Sequence, residues 1–134
     1  MSFTEKDYNE LSGEIIEACI EVHKELGPGL MESVYEICLI SVLKRKKLNP
    51  KQQVSLPVIF KGEKLNKEFV IDILVDDKII LELKSVEAIL PVHEAQLVTY
   101  LKLADKKLGL LVNFNVPLLT QGIRRKINGN LNSV

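Results

Sequence analysis

Two runs decide the fold: Phe69-Val70-Ile71-Asp72-Ile73-Leu74-Val75 and, after Asp76-Asp77-Lys78, Ile79-Ile80-Leu81-Glu82-Leu83-Lys84. Both are rich in β-branched and aliphatic residues, and a short polar segment with turn character joins them, so they read as a β-hairpin. Asp72 interrupts the first run between apolar neighbours. A charge inside such a strand is costly unless it is paired or bound to a cation. Glu82 and Lys84 interrupt the second run, and the two-residue strand period puts both side chains on one face. Hairpin pairing brings Asp72 beside Glu82. Two adjacent carboxylates repel, and a divalent cation relieves that repulsion. Ligands that are all oxygen favour Mg²⁺ or Mn²⁺ over zinc. Lys84 would then stand next to the ion, able to hold or polarise a water. Two plainer readings compete: a buried ion pair between Lys84 and a carboxylate, or a hairpin whose polar face is simply wet.

Upstream, Gln53 to Phe60 reads as a strand, with Pro57 pointing to a sheet edge, and Lys61-Gly62-Glu63-Lys64 as a turn. Two helices come before it. Thr4 caps the first, and Leu11, Ile15, Cys19, Val22 and Leu26 recur at helical spacing until Gly27-Pro28-Gly29. The second has Leu30, Val34, Ile37, Cys38 and Val42 as its expected apolar side, and ends in Lys44-Arg45-Lys46-Lys47. Downstream, Val92 to Leu103 reads as a helix with Gln96 and Tyr100 four apart, and Leu108 to Phe114 as an apolar strand. Leu118 to Ile127 reads as a closing amphipathic helix carrying Arg124, Arg125 and Lys126. The expected order is α-α-β-β-β-α-β-α. This is an α/β (α+β) fold with a mixed sheet flanked by helices, in one domain over residues 1–134.

Composition bounds the function. The chain has 134 residues, 46% hydrophobic and 27% charged, enough for a core and too ordered for a disordered segment. No apolar run approaches the ~20 residues of a membrane span, and the polar start MSFTEKDYNE does not read as a signal peptide, so a cytoplasmic location is expected. Cys19 and Cys38 lack metal-ligand spacing and read as buried free thiols. His23 and His93 have no triad or metal partner at a telling spacing and read as structural hydrogen-bonders, although His93 lies near the helix bearing Gln96. Glu36 reads as part of a solvated helix face, and Tyr35 as a packing residue with a bonded hydroxyl.

The net charge is zero, yet it is the sum of four biased blocks. Residues 1–36 and 68–105 are strongly acidic, and residues 37–67 and 106–134 strongly basic. Lys44, Arg45, Lys46 and Lys47, with Arg124, Arg125 and Lys126, are the candidate phosphate contacts. The competing reading is a helix C-terminal charge and a solubilising face. With no Trp, four Phe and three Tyr, a single-strand stacking platform is not expected.

Asp72 followed by Glu82-Leu83-Lys84 resembles the PD-(D/E)XK nuclease signature, with Ile71 where the name has Pro. More narrowly, Gly29-Leu30-Met31-Glu32-Ser33-Val34-Tyr35-Glu36 is similar to the pattern that names the GxxExxY protein family, a branch of that superfamily. Val22-His23-Lys24-Glu25-Leu26-Gly27-Pro28-Gly29, Pro91-Val92-His93-Glu94-Ala95-Gln96 and Asn113-Phe114-Asn115-Val116-Pro117 extend the resemblance over roughly residues 13–129. It implies an αβββαβ nuclease core. It also implies metal ligands at Asp72 and Glu82, completed by the Leu83 carbonyl, and a water- or phosphate-directed role for Lys84. Glu32 would be an additional acid reaching the ion directly or through water. Gln96 and Tyr100 resemble the QxxxY element of RecB-like nucleases, where the Gln lies near the metal site; Tyr100 is also a candidate nucleic-acid contact.

The expected function is therefore hydrolysis of DNA or a related phosphodiester, dependent on Mg²⁺ or Mn²⁺, with Asp72, Glu82, Lys84, Glu32 and Gln96 as the site. Lys84 would serve as general base or as a fixed positive charge. The second expectation is a catalytically silent nuclease-fold module acting through protein or nucleic-acid partners. A core this small leaves little surface for sequence recognition, so a homodimer or partner protein is expected. With an ion cancelling part of the acidic cluster, nucleic-acid binding should be weak, salt-sensitive and stronger with divalent metal.

Overall fold

The computed structural model describes residues 2–132, so the outermost positions of the expected 1–134 domain lie outside the described residues. Helix α1 spans Glu5–Leu26 and opens on a capping box. The Thr4 hydroxyl accepts the Asp7 N–H at 3.2 Å, and the Asp7 carboxylate accepts the Thr4 N–H at 2.8 Å. Its buried stripe includes Leu11, Ile15, Cys19 and Val22, as their spacing requires, and Gly27 ends it at φ 72°.

Helix α2 spans Glu32–Arg45 and turns a different side inward than its sequence suggests. Tyr35, Leu39, Ile40 and Leu43 are buried, whereas Leu30, Val34 and Ile37 face outward. Cys38 and Val42 pack at the margin of the core. Two apolar rows run along this helix, and the bulkier one, with the aromatic ring, takes the core.

The sheet follows. Strand β1 is Pro50–Phe60, β2 Glu63–Val75, β3 Ile79–Lys84, β4 Leu108–Asn113 and β5 Ile123–Ile127, and their order across the sheet is their order in the chain. Neighbours are antiparallel except β3 and β4, which run parallel through helix α3, Pro91–Ala104. This is an α+β fold with a mixed sheet. Helices α1 and α2 cover one face over Ile73, Val75, Ile79, Leu81, Leu83, Leu108, Leu110 and Val112. Helix α3 covers the other with Leu97, Tyr100 and Leu101 over Ile71, Leu74, Ile80 and Leu111.

The expected closing helix is not formed. Leu119–Gly122 is a short 3-10 turn, and Ile123–Ile127 is strand β5, antiparallel to β4. The apolar spacing of Leu118, Leu119, Ile123 and Ile127 fits a helix, but the open edge of β4 supplies backbone partners that a surface helix would leave unused. Gly122 permits the turn, because a Cβ there would run into the carbonyl oxygen of Asn113.

Two glycine substitutions should therefore act in opposite directions. Gly122→Ala, clashing with backbone, should cost about 1–3 kcal/mol. Gly13→Ala, in α1 with nothing within 4 Å of the new Cβ, should stabilise by about 0.4–1 kcal/mol. Urea midpoints of the two variants read this directly; equal shifts of one sign would contradict the packing at Gly122.

Candidate metal and phosphate site

Asp72 sits where the β2–β3 ladder stops. Paired residues run Val75 with Ile79, Leu74 with Ile80 and Ile73 with Leu81, and the next pair would be Asp72 with Glu82. There the side chains replace the backbone ladder. The Leu83 N–H donates to Asp72 Oδ2 at 2.8 Å, and the Asp72 N–H points at Glu82 Oε1 at 3.4 Å. On the other side, the β1 ladder passes from Gln52 opposite Ile73 to Val54 opposite Ile71, skipping Gln53, whose φ is 50°. The side-chain alternation inverts at the same point. Ile71 and Leu74 belong to the α3-side core, and Ile73 and Val75 to the α1–α2 side, although a strict two-residue period would group Ile71 with Ile73. Asp72 thus occupies an interruption in both flanking ladders.

Glu82 is 6% exposed and Asp72 half-buried. Burial first, and then the charge of Asp72 and a hydrogen bond to it, push the Glu82 carboxyl up to about 9; the Asp72 N–H and Lys84 oppose this more weakly. Lys84 is half-buried, and it forms no salt bridge with either carboxylate among the described residues. The buried-ion-pair reading of the motif is therefore not what the fold builds. Tyr100 closes the site from α3. It is 6% exposed and its ring lies 5.5 Å from that of Phe69, so it has no free ring face for a base. Burial, and then the charges of Glu82 and Asp72, raise its phenol. Gln96, one turn earlier on α3, is exposed.

Glu32 is placed elsewhere. It is exposed at the start of α2 and lines an open cavity of about 570 Å³ with Gly29, Leu30, Met31, Ser33, Ser85 and Asn115. No group of three or more His, Cys, Asp or Glu positioned to hold a metal occurs among the described residues. The structure joins Asp72 to Glu82 and does not add Glu32 to them. The cavity begins at Ser85, directly after Lys84.

Ser85 and Asn113, given no role in the sequence, hold that junction together with Tyr35, which packs with a bonded hydroxyl as expected. Ser85 Oγ donates to the Leu30 carbonyl at 2.6 Å. Buried Asn113 brackets Val86, accepting its N–H and donating to its carbonyl, both at 3.0 Å. The Tyr35 hydroxyl donates to the Gly27 carbonyl at 2.6 Å and accepts the Leu30 N–H at 3.1 Å, while its ring stacks on Phe114 at 4.3 Å. His23 Nε2 lies 2.8 Å from the Val116 carbonyl, and His93 Nδ1 accepts the Leu90 N–H at 3.0 Å; both are structural. The one available signal was a polar Asn closing an apolar strand. Glu36 is not simply solvated: it accepts from the side-chain amides of Gln52 and Gln53.

The basic groups divide. Lys46 pairs with Glu17 at 3.0 Å, Arg125 reaches Asn9 and Ser12 on α1, and Lys126 pairs with Glu94 on α3 at 2.6 Å. Arg124 bonds the carbonyls of Gln121 and Ile123. Because β5 is a strand, Arg124 and Lys126 point to one side of it and Arg125 to the other. Lys44, Arg45 and Lys47 are exposed around the end of α2.

A family model described as the PD-(D/E)XK nuclease superfamily matches residues 9–126, and the chain belongs to that superfamily. The crystal structure of SSO0001 is similar, with 26% identity and a TM-score of 0.51. That match covers 75% of this chain and 52% of the other, so the chain spans about half the length of that solved relative. A search of curated proteins found no match. None of the described helices is long and apolar enough to cross a membrane.

The raised Glu82 carboxyl has a thermodynamic sign. Its folded value, about 9, exceeds the 4.5 of a free glutamate. The stability it contributes is full below pH 4.5 and is lost as pH rises toward 9, because the unfolded chain releases the proton first. In metal-free buffer Glu82→Gln, which is neutral throughout, should gain stability relative to the native protein between pH 5 and pH 9. Urea midpoints across that range test it; a constant offset at every pH would refute a protonated Glu82.

Proposed function

We propose that the chain is a divalent-metal-dependent nuclease hydrolysing phosphodiesters, of the GxxExxY type within its superfamily. The observation that carries this reading is the Asp72–Glu82 pair, two carboxylates held together at a break in the sheet with Glu82 raised to about 9. Hard oxygen donors in this arrangement suit Mg²⁺ or Mn²⁺, and a cation there would take the place of the Glu82 proton. Asp72, Glu82 and the Leu83 carbonyl would hold the ion. When bound, it supplies charge neutralisation at the phosphate and a more acidic water.

The chain's own groups do the rest. The Leu83 N–H holds Asp72 Oδ2 at 2.8 Å and so orients the carboxylate. Glu82 must give up its proton before it can ligate, so metal affinity should rise with pH. Lys84, two residues along the same strand face, presents its ammonium to the phosphate oxygens or holds the attacking water. Gln96, exposed one turn before Tyr100 on α3, would orient water or phosphate. Glu32 would act as an additional acid from the adjoining cavity, through water. Lys44, Arg45 and Lys47 are the candidate phosphate contacts whose side chains form no salt bridge or hydrogen bond among the described residues. A cytoplasmic setting, and a homodimer or a partner protein, complete the reading.

Purified protein with Mn²⁺ should cleave DNA, and Asp72→Ala, Glu82→Ala and Lys84→Ala should each lose at least about 100-fold in rate. Calorimetry separates the roles. Metal binding should vanish in the two carboxylate variants and survive in Lys84→Ala. Absence of cleavage across DNA and RNA substrates, combined with absence of Mn²⁺ binding, would replace this reading with that of a silent binding module.

A further inference from the structure

The distal half of the β1–β2 hairpin extends beyond the other strands of the sheet. Strand β3 pairs with β2 only from Ile73 to Val75, and from Ile71 outward β1 and β2 continue alone as a two-stranded ribbon. At about 3.3 Å per residue, Glu63 stands about 25–30 Å from Asp72 along the strand, or roughly eight base-pair steps of duplex. The tip is a two-residue turn, Lys61-Gly62, with φ of 51° and 78°. Ile59 and Phe60 near it are each 59% exposed, and Lys61 Nζ lies 5.5 Å above the Phe60 ring. Lys61, Lys64 and Lys67 are exposed and form no salt bridge among the described residues; Glu63 and Glu68, interspersed with them, also form none.

Resting on the nuclease reading of Asp72 and Glu82, we propose that this ribbon is an arm that holds double-stranded DNA along its groove while the scissile phosphate lies at its base. A two-stranded ribbon fits the ~12 Å major groove of B-DNA, whereas the deep, narrow groove of duplex RNA excludes it. Its lysines reach phosphates on the groove walls, and Phe60 and Ile59 supply apolar contact at the tip. Single strands are not the natural ligand. Phe60 is the one exposed aromatic residue among the described residues, so they offer no row of stacking rings. A second copy pairing edge to edge is also disfavoured. Pro57 and the φ of 50° at Gln53 guard the β1 edge, and a register shift between Pro57 and Ile59 together with Lys64 and Lys67 guards the β2 edge.

Two variants test the arm: Lys61→Ala with Lys64→Ala and Lys67→Ala, and a shortened form in which Asn-Gly joins Pro57 directly to Glu68, its cross-strand partner. Binding is read by fluorescence anisotropy with a 30-base-pair DNA duplex and the corresponding single strand, at several salt concentrations without metal. Hydrolysis of bis(p-nitrophenyl) phosphate with Mn²⁺ reads the metal site by itself. Both variants should bind the duplex at least tenfold more weakly. The triple variant should flatten the slope of log affinity against log salt by about 3. Single-strand binding and small-substrate hydrolysis should stay unchanged. Unaltered duplex affinity and slope, equal loss on single strands, or a dimer that dissociates on shortening with duplex affinity intact would each overturn the arm. If arm-dependent duplex binding persists but the native protein neither binds Mn²⁺ nor cleaves DNA or RNA, the nuclease reading fails and the arm stands.

Discussion

The structure depends on one costly juxtaposition, the Asp72 and Glu82 carboxyls side by side in a sheet whose other interior positions are nearly all aliphatic. Burying polar groups there is tolerable only if their hydrogen bonds are met. The chain meets them by exchange: Asp72 accepts the Leu83 N–H, and Glu82 stands before the Asp72 N–H. The backbone ladder is given up at that point and the carboxyls stand in for it. Burial and the charge of Asp72 hold the Glu82 proton far above the ordinary glutamate range, so the pair is costly to the fold once both carboxyls ionise.

That interruption spreads outward. With β3 no longer paired beyond Ile73, the outer part of β2 is free to project with β1 as a ribbon. The inversion of side-chain direction at Asp72 also moves Ile71 and Phe69 under α3, where Tyr100 covers the carboxyl pair. On the far side of the skipped Gln53, Glu36 holds the side-chain amides of Gln52 and Gln53. A single break in periodicity thus locates the candidate site, its cover and the arm beside it.

Much of this was legible. The hairpin, the two N-terminal helices, helix α3 and β4 followed from periodicity and turn residues, and Asp72, Glu82 and Lys84 stood out because each contradicts its strand. What failed has a common cause. On α2 two apolar rows compete, and only tertiary packing selects Tyr35, Leu39 and Leu43 over Val34 and Ile37. At Ile123–Ile127 the local pattern fits a helix, but the open edge of β4 captures the segment. The strand also parts the basic residues: Arg125 turns to α1 and Lys126 to α3. Long-range partners also decided Ser85 and Asn113, whose bonds to Leu30 and Val86 have no local signature.

The stretches carrying the narrower resemblance acquire a physical meaning here. Tyr35 ties the α1–α2 turn together and stacks on Phe114, His23 reaches Val116, and Asn113 fixes the chain just after Lys84. The Gly29–Glu36 stretch and the Asn113–Pro117 stretch, distant in sequence, form one brace at the exit of β3. Most of these residues therefore serve geometry and not chemistry: they hold the Leu30 carbonyl against Ser85 and so keep the cavity bearing Glu32 adjacent to Lys84. Tyr35 is invested in that scaffold with a fully buried ring, whereas Glu32 remains exposed and without a bonded partner among the described residues. Glu32 is an unpaired carboxylate on the exposed side of a stretch that Tyr35 anchors, and the brace fixes its place beside Ser85.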